Sequence, residues 1–169
     1  WSHAWVEERG RPTFTTDVDL RADGTLAALR LIASDPLHRN LMWPQQLRVA
    51  LGYRDSVKEL AVDAKSASID VPGAAGLPVP VFVLPSGHGL GYGLFVLDEA
   101  SRTYLLAHVE DIADPLTRGV AWVTLWDNLL ERRVSAAEFL DAAERALPRE
   151  SDEQNTQRML AYVARAFWR

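Results

Sequence analysis

The period of the hydrophobic pattern changes once along the chain, and this change most constrains the fold. Before about residue 97, apolar residues recur in short runs at every second position, the period of a half-buried strand. After Asp98 they recur every three to four positions, the period of an amphipathic helix. The pattern therefore predicts a β module plus an α module. Hydrophobic residues make up 48% of the chain, which is enough to form a buried core.

Short segments of the first half fit the strand pattern and are separated by Gly, Pro and Asp residues. Asp23 and Gly24 form the residue pair that tight hairpin turns favour, because it tolerates a positive φ angle. The predicted strands are residues 13–20, 26–33, 47–53, 57–62, 66–71, 79–84 and 94–97. Several short strands with such turns predict a β-sandwich, which we assign to residues 1–97.

Helix-boundary signals predict a short helical bundle of four helices over residues 98–169. Asp114 before Pro115 predicts a helix start, because the carboxylate caps the helix and the proline fits its first turn. Trp122 and Trp126 lie one turn apart and are predicted to fill an interface between sheet and helices. The other signals are capping boxes at Ser135–Glu138 and Ser151–Gln154, a helix stop at Pro148, and apolar stripes of Leu116, Val120, Val123 and Leu130 and of Trp122, Trp126 and Leu129.

Charge and cysteine content exclude several classes of function. Eighteen basic and 23 acidic residues give a net charge of -5, which argues against a nucleic-acid partner. No apolar run reaches the roughly 20 residues of a transmembrane helix, so we expect no membrane segment. The absence of cysteine excludes disulfides and thiol chemistry, and it fits the cytoplasm and the periplasm equally. Because the chain begins at Trp1, we expect it to be a piece of a longer protein.

Neither a zinc motif nor a serine nucleophile motif occurs in the sequence. The four histidines, His3, His38, His88 and His108, are isolated from one another, and H-E-x-x-H is absent. No serine lies in a G-x-S-x-G elbow. We therefore predict no catalytic, cofactor-binding or metal-binding residue in this chain.

Residues 85–93 form a glycine-rich segment that contains Gly87, Gly89, Gly91 and Gly93. Such a segment cradles phosphate when it leads from a strand into a helix N-terminus. Here it leads into residues 94–97, which fit a strand. We therefore expect a loop or bulge and no phosphate site.

Adjacent carboxylates and tryptophans near the termini are two further groups of functional candidates. Adjacent carboxylates could supply an acid and a base, but their spacing assigns no role, and we expect most of them to be solvated. These pairs are Glu7 with Glu8, Asp98 with Glu99, and Glu110 with Asp111.

Trp1, Trp5 and Trp168 lie near the termini, where we expect a docking surface for a preceding region.

Three motifs follow one another along the chain, WVEERGRP at 5–12, GYGLFVLD at 91–98 and a set of short segments between 118 and 153. Together they resemble the region that follows the catalytic domain in zinc aminopeptidases of the aminopeptidase N type. Residues 5–12 read WVEERGRP, similar to the start of the β-sandwich module of those enzymes. Residues 91–98 read GYGLFVLD, similar to the strand that closes the module. The third motif, similar to the first helices of the C-terminal domain, comprises RGVAW at 118–122, WD at 126–127, FL at 139–140 and ESDE at 150–153.

The resemblance implies a non-catalytic C-terminal fragment of a bacterial metallopeptidase. In that family the zinc ligands, the glutamate base and the G-x-M-E-N segment belong to the catalytic domain, so zinc is expected there and not in this chain. The implied role is to support the catalytic domain and to help wall the chamber that admits peptide. The implied partners are the upstream catalytic domain and the peptide substrate. A free-standing protein- or peptide-binding module is the alternative.

Overall fold

The computed structural model describes residues 3–168. Their contacts separate into two compact units, divided between Asp98 and Glu99. The strands lie in the first unit and the α-helices in the second, so the predicted β module plus α module is confirmed. Among the described residues, no helix is both long and apolar enough to cross a membrane.

The first unit contains two sheets. Its strands are β1 (Thr13–Leu20), β2 (Leu26–Ser34), β3 (Gln45–Gly52), β4 (Val57–Ala64), β5 (Ser68–Asp70), β6 (Phe82–Leu84) and β7 (Leu94–Phe95). One sheet has the order β5-β2-β1-β7 and the other β4-β3-β6. All neighbouring strands are antiparallel except β1 and β7, which are parallel. The strand segments predicted from the sequence are confirmed in order, although β5, β6 and β7 are shorter than expected.

Both sheets contribute to one hydrophobic core, which makes the first unit a sandwich. Leu29 and Leu31 of β2 belong to the same buried cluster as Leu47 and Val49 of β3. Leu47 and Leu51 of β3 lie in this cluster, as the period of two predicts. The alternation holds only in the first half of the strand, because Ala50 and Gly52 are buried as well. Burial of these side chains is the main source of the unit's stability.

The second unit contains four α-helices. They are α1 (Glu99–His108), α2 (Pro115–Leu130), α3 (Ala136–Ala146) and α4 (Glu153–Phe167). Short 3₁₀ turns follow α1 at Val109–Asp111 and α3 at Leu147–Arg149. The predicted helix start at Asp114 is confirmed, because its carboxylate accepts a hydrogen bond from the Thr117 N–H at 2.8 Å. The Pro148 stop is also confirmed, since it lies in the turn that ends α3.

The aromatic core of the helical unit differs from the expectation. Trp126 stacks on Tyr162 of α4 with ring centroids 4.6 Å apart, and Trp122 meets Phe139 of α3 edge-on at 5.4 Å. The ring partners of both tryptophans are thus helical, whereas a sheet–helix interface was predicted. The predicted stripe of Leu116, Val120, Val123 and Leu130 was wrong in part. Val120 is buried, whereas Leu116 and Val123 are exposed because α3 and α4 cover the face of α2 that carries the tryptophans.

One of the two predicted capping boxes is confirmed. The Ser135 and Glu138 side chains each bond the other's backbone N–H at the start of α3. The box at Ser151 and Gln154 was wrong, because α4 is capped one residue later. The Asp152 carboxylate accepts from Asn155 N–H at 2.9 Å, where an anion also interacts favourably with the helix dipole.

Candidate functional site

The histidines whose side chains the structure describes, His38, His88 and His108, form no metal-binding group. The Nε2 atom of His88 lies 2.7 Å from a carboxylate oxygen of Glu59, and Nδ1 of His108 lies 3.3 Å from Asp111. His38 is exposed in a turn with a positive φ angle of 55°, and nothing is described of the His3 side chain. Within residues 3–168, no group of three His, Asp or Glu side chains could hold a metal ion.

The glycine-rich segment forms a loop that leads from β6 into β7, as predicted. Gly87 donates its N–H to the Arg48 carbonyl of β3 at 2.5 Å, and a Cβ atom at Gly87 would lie only 2.7 Å from the Ala50 Cβ. Glycine is therefore required here, because the loop backbone approaches the sheet too closely for a side chain. The loop is packed on β3 and does not open a helix N-terminus.

The carboxylate of Glu8 belongs to an ionic cluster around Arg39. The Arg39 guanidinium bonds both Asp35 carboxylate oxygens at 3.0 Å and lies 3.1 Å from the Glu8 carboxylate. It also donates to the Arg9 carbonyl at 2.8 Å, and so ties the N-terminal segment to the turn after β2. The hydrogen bonds from Arg39 hold the pKa of Asp35 well below its usual range. This arrangement organises two loops, and it contains neither a nucleophile nor a base directed at a substrate.

Glu110 is an exception to the expectation that most of the adjacent carboxylates are solvated. Its side chain is only 4% exposed, and one carboxylate oxygen lies 2.5 Å from Nε of Arg145. Arg149 lies 3.6 Å from the same oxygen and 2.9 Å from Asp111. The bond to Arg149 lowers the pKa of the Asp111 carboxyl group. These contacts connect the turn after α1 to the end of α3, so the pair is structural.

Sequence reasoning missed a buried ion pair between Arg118 and Glu150. The Arg118 guanidinium donates to both carboxylate oxygens, at 2.9 and 2.5 Å, and also to the Ile112 carbonyl at 2.7 Å. The two side chains are 9% and 2% exposed. The partners are 32 residues apart, so no local motif could reveal them, although Glu150 lies within a motif of the family resemblance. Hydrogen bonding from Arg118 lowers the pKa of Glu150 despite its burial.

The tryptophans near the termini differ in their surroundings. Trp5 is partly buried, with its ring 5.4 Å from that of Tyr92. Trp168 is 86% exposed and meets the exposed ring of Phe167 edge-on. Trp1 lies outside the described residues. The expectation of a docking surface therefore rests, among described residues, mainly on the end of α4.

The clusters around Arg39, Glu110 and Arg118 are ion pairs that connect segments of the fold. The carboxylates in these clusters are held by arginine side chains through charge-assisted contacts. No protein-family model matches this chain. The chain is similar to a region of an aminopeptidase N from Streptomyces lividans.

The similarity to this aminopeptidase N has a defined extent. The identity is 25% over 166 aligned residues, which cover 90% of the chain. At this coverage the alignment includes residues of both units. The chain spans only 19% of the aminopeptidase N sequence. These values support a relation between most of this chain and a small part of an aminopeptidase N.

Proposed function

We propose that this chain is the non-catalytic, post-catalytic part of a zinc aminopeptidase of the aminopeptidase N type. The observation that carries the proposal is the alignment of 90% of the chain with 19% of the Streptomyces lividans aminopeptidase N. The order of a β-sandwich followed by helices agrees with the resemblance of the three sequence motifs. In this proposal residues 1–97 form the sandwich domain and residues 98–169 the helical domain.

The proposed role is to support the catalytic domain and to help wall the chamber through which peptide enters. The internal ion pairs favour a rigid scaffold, because Arg118 and Arg145 hold buried carboxylates within the fold. The partners are then the catalytic domain of the same polypeptide and its peptide substrate. Zinc would be held by the catalytic domain, where it activates the attacking water.

An aminopeptidase assay with added zinc tests whether the chain is catalytic. We expect no turnover of aminoacyl chromogenic substrates above the buffer rate, because no described group resembles a zinc site. The Streptomyces lividans aminopeptidase N, assayed in parallel, is the positive control. Zinc-dependent turnover by the purified chain, abolished by a chelator, would contradict the proposal.

The coding sequence immediately upstream of Trp1 provides a separate test of the parent enzyme. An in-frame H-E-x-x-H motif with a downstream glutamate ligand is expected. A start codon or an unrelated domain at that place would refute the peptidase assignment. Peptide affinity or dimerisation of the chain would then favour the binding-module alternative.

A further inference from the structure

A groove of about 540 Å³ lies on the β unit, beside β3 and β4. We name it the β3–β4 groove, and its lining includes Gln46, Arg48, Ala61, Asp63, His88 and Leu90. Arg48 pairs with Ala61 across the strands, and Gln46 pairs with Asp63. These residues are exposed and alternate with buried ones along their strands. The volume lies within the range of small-molecule sites, about 300–1,000 Å³.

The charged side chains that line this groove differ in whether they already contact an oppositely charged or polar side chain. Asp63 lies 2.6 Å from the Lys65 ammonium, and His88 lies 2.7 Å from Glu59. Arg48, in contrast, has no side-chain partner among the described residues, and neither does the amide of Gln46 two positions earlier. The groove therefore presents a guanidinium and an amide side by side from one strand. A guanidinium binds a carboxylate through two parallel hydrogen bonds.

The glycine-rich loop forms a fixed wall of the β3–β4 groove. Gly87 donates to the Arg48 carbonyl at 2.5 Å, Gly89 donates to the Ser86 carbonyl at 3.0 Å, and Gly91 donates to the Ser86 hydroxyl at 3.1 Å. A wall that is already ordered lowers the entropic cost of binding. Because these three N–H groups are bonded within the protein, they are not available to bind a phosphate.

We propose that the β3–β4 groove is a binding site for a small molecule with one carboxylate, of about the size of a capped dipeptide. The carboxylate lies on the Arg48 guanidinium and accepts a further hydrogen bond from the Gln46 amide. The apolar part of the ligand lies against Ala61 and Leu90. A second anionic group is disfavoured, because the Asp63 carboxylate lines the same groove. The proposal stands on the β unit alone and does not depend on the peptidase assignment.

A titration followed by amide resonances of the isotopically labelled chain tests the site. The probes are N-acetylalanylalanine, the same molecule with a C-terminal amide, and inorganic phosphate. We expect saturable shifts at Arg48, Ala61 and His88 with the acid. The amide is expected to bind about tenfold more weakly or worse, because it lacks the charge-assisted bond. Phosphate is expected to bind more weakly than the acid.

The substitution Arg48→Gln should weaken binding of the acid by a similar factor. Arg54→Gln removes the same charge from an exposed position outside the groove and should leave the affinity unchanged. The proposal would be overturned if the acid and the amide bound with equal affinity, or if the Arg48→Gln variant bound the acid like wild type. It would also be overturned if Arg54→Gln weakened binding of the acid as much as Arg48→Gln does. Phosphate binding as tight as the acid, or no saturable shift at millimolar probe, would overturn it too. If the Arg48→Gln variant does not fold, the comparison of acid and amide binding to the wild-type protein decides whether the proposal holds.

Discussion

At the residue scale, the buried pair of Arg118 and Glu150 shows how charge is used in the helical unit. The guanidinium connects the backbone carbonyls of Ile112 and Ala113 to the carboxylate, and Asn155 donates to the same carboxylate at 3.4 Å. Removing two charges from water is costly, and their mutual attraction with several hydrogen bonds offsets that cost. Losing one partner is therefore more damaging than losing an exposed ion pair.

The substitution Glu150→Gln tests this pair. We expect a loss of about 3–5 kcal/mol in the free energy of unfolding at neutral pH, since the Arg118 charge remains buried without its anion. The measurement is urea unfolding followed by helical circular dichroism. Glu144→Gln removes a carboxylate from an exposed position on α3 and should change stability by less than about 0.5 kcal/mol. Equal effects of the two substitutions would contradict the role given to the pair.

The lowered pKa of Glu150 also determines how the stability lost in Glu150→Gln depends on pH. A carboxyl group whose native pKa is lowered contributes stability that is present above its ordinary value of 4.5 and lost as the pH falls through the native pKa. The stability difference between wild type and Glu150→Gln should therefore stay constant from neutral pH to about pH 5 and shrink at more acidic pH. Unfolding curves at a series of pH values measure this difference. A stability difference that widens on acidification would refute the prediction.

At the scale of elements, the helix starts show which boundaries follow from neighbouring residues. Asp114 and Ser135 cap their helices through contacts within three residues, so their motifs are visible in the sequence. At α4 two adjacent residues, Ser151 and Asp152, could both act as caps. The choice between them depends on Glu150, whose carboxylate also accepts from the Asp152 N–H at 2.9 Å. The long-range pair with Arg118 thus helps to place the helix start.

Capping of α4 can be tested with adjacent substitutions. Asp152→Ala should lower the free energy of unfolding by about 1 kcal/mol, because the Asn155 N–H loses its acceptor. Ser151→Ala is the matched control, and we expect a change within about 0.5 kcal/mol. Thermal unfolding of both variants measures the difference. A larger effect at Ser151 would show that the serine is the cap after all.

At the scale of the whole molecule, each unit has its own buried residues. The sandwich core is formed by strands of both sheets, and the helical unit packs Trp122, Trp126, Phe139 and Tyr162 against one another. The largest fully buried side chains include Trp122 and Phe139 in the second unit and Phe14 in the first. Independent cores are what separate folding units require.

We therefore expect residues 99–169 to fold when expressed alone. The isolated segment should show helical circular dichroism and one cooperative thermal transition, because its aromatic core lies within it. Phe139→Ala should abolish or greatly lower that transition, since such core truncations cost about 3–5 kcal/mol. The conservative variant Leu116→Ala, at an exposed position on α2, is the control and should leave the transition nearly unchanged. A segment without a cooperative transition would contradict this expectation.

The sequence by itself determined the two-part fold, the order of the strands along the chain, and the start of α2 and α3. These features follow from the period of apolar residues and from caps that act within one turn. Tertiary structure decided which face of α2 is buried, where α4 begins, and that Glu110 and Glu150 are held inside the fold. It also placed the glycine-rich loop against β3, beside Arg48. Such outcomes depend on packing and on ion pairs between residues far apart in the chain, which no local pattern records.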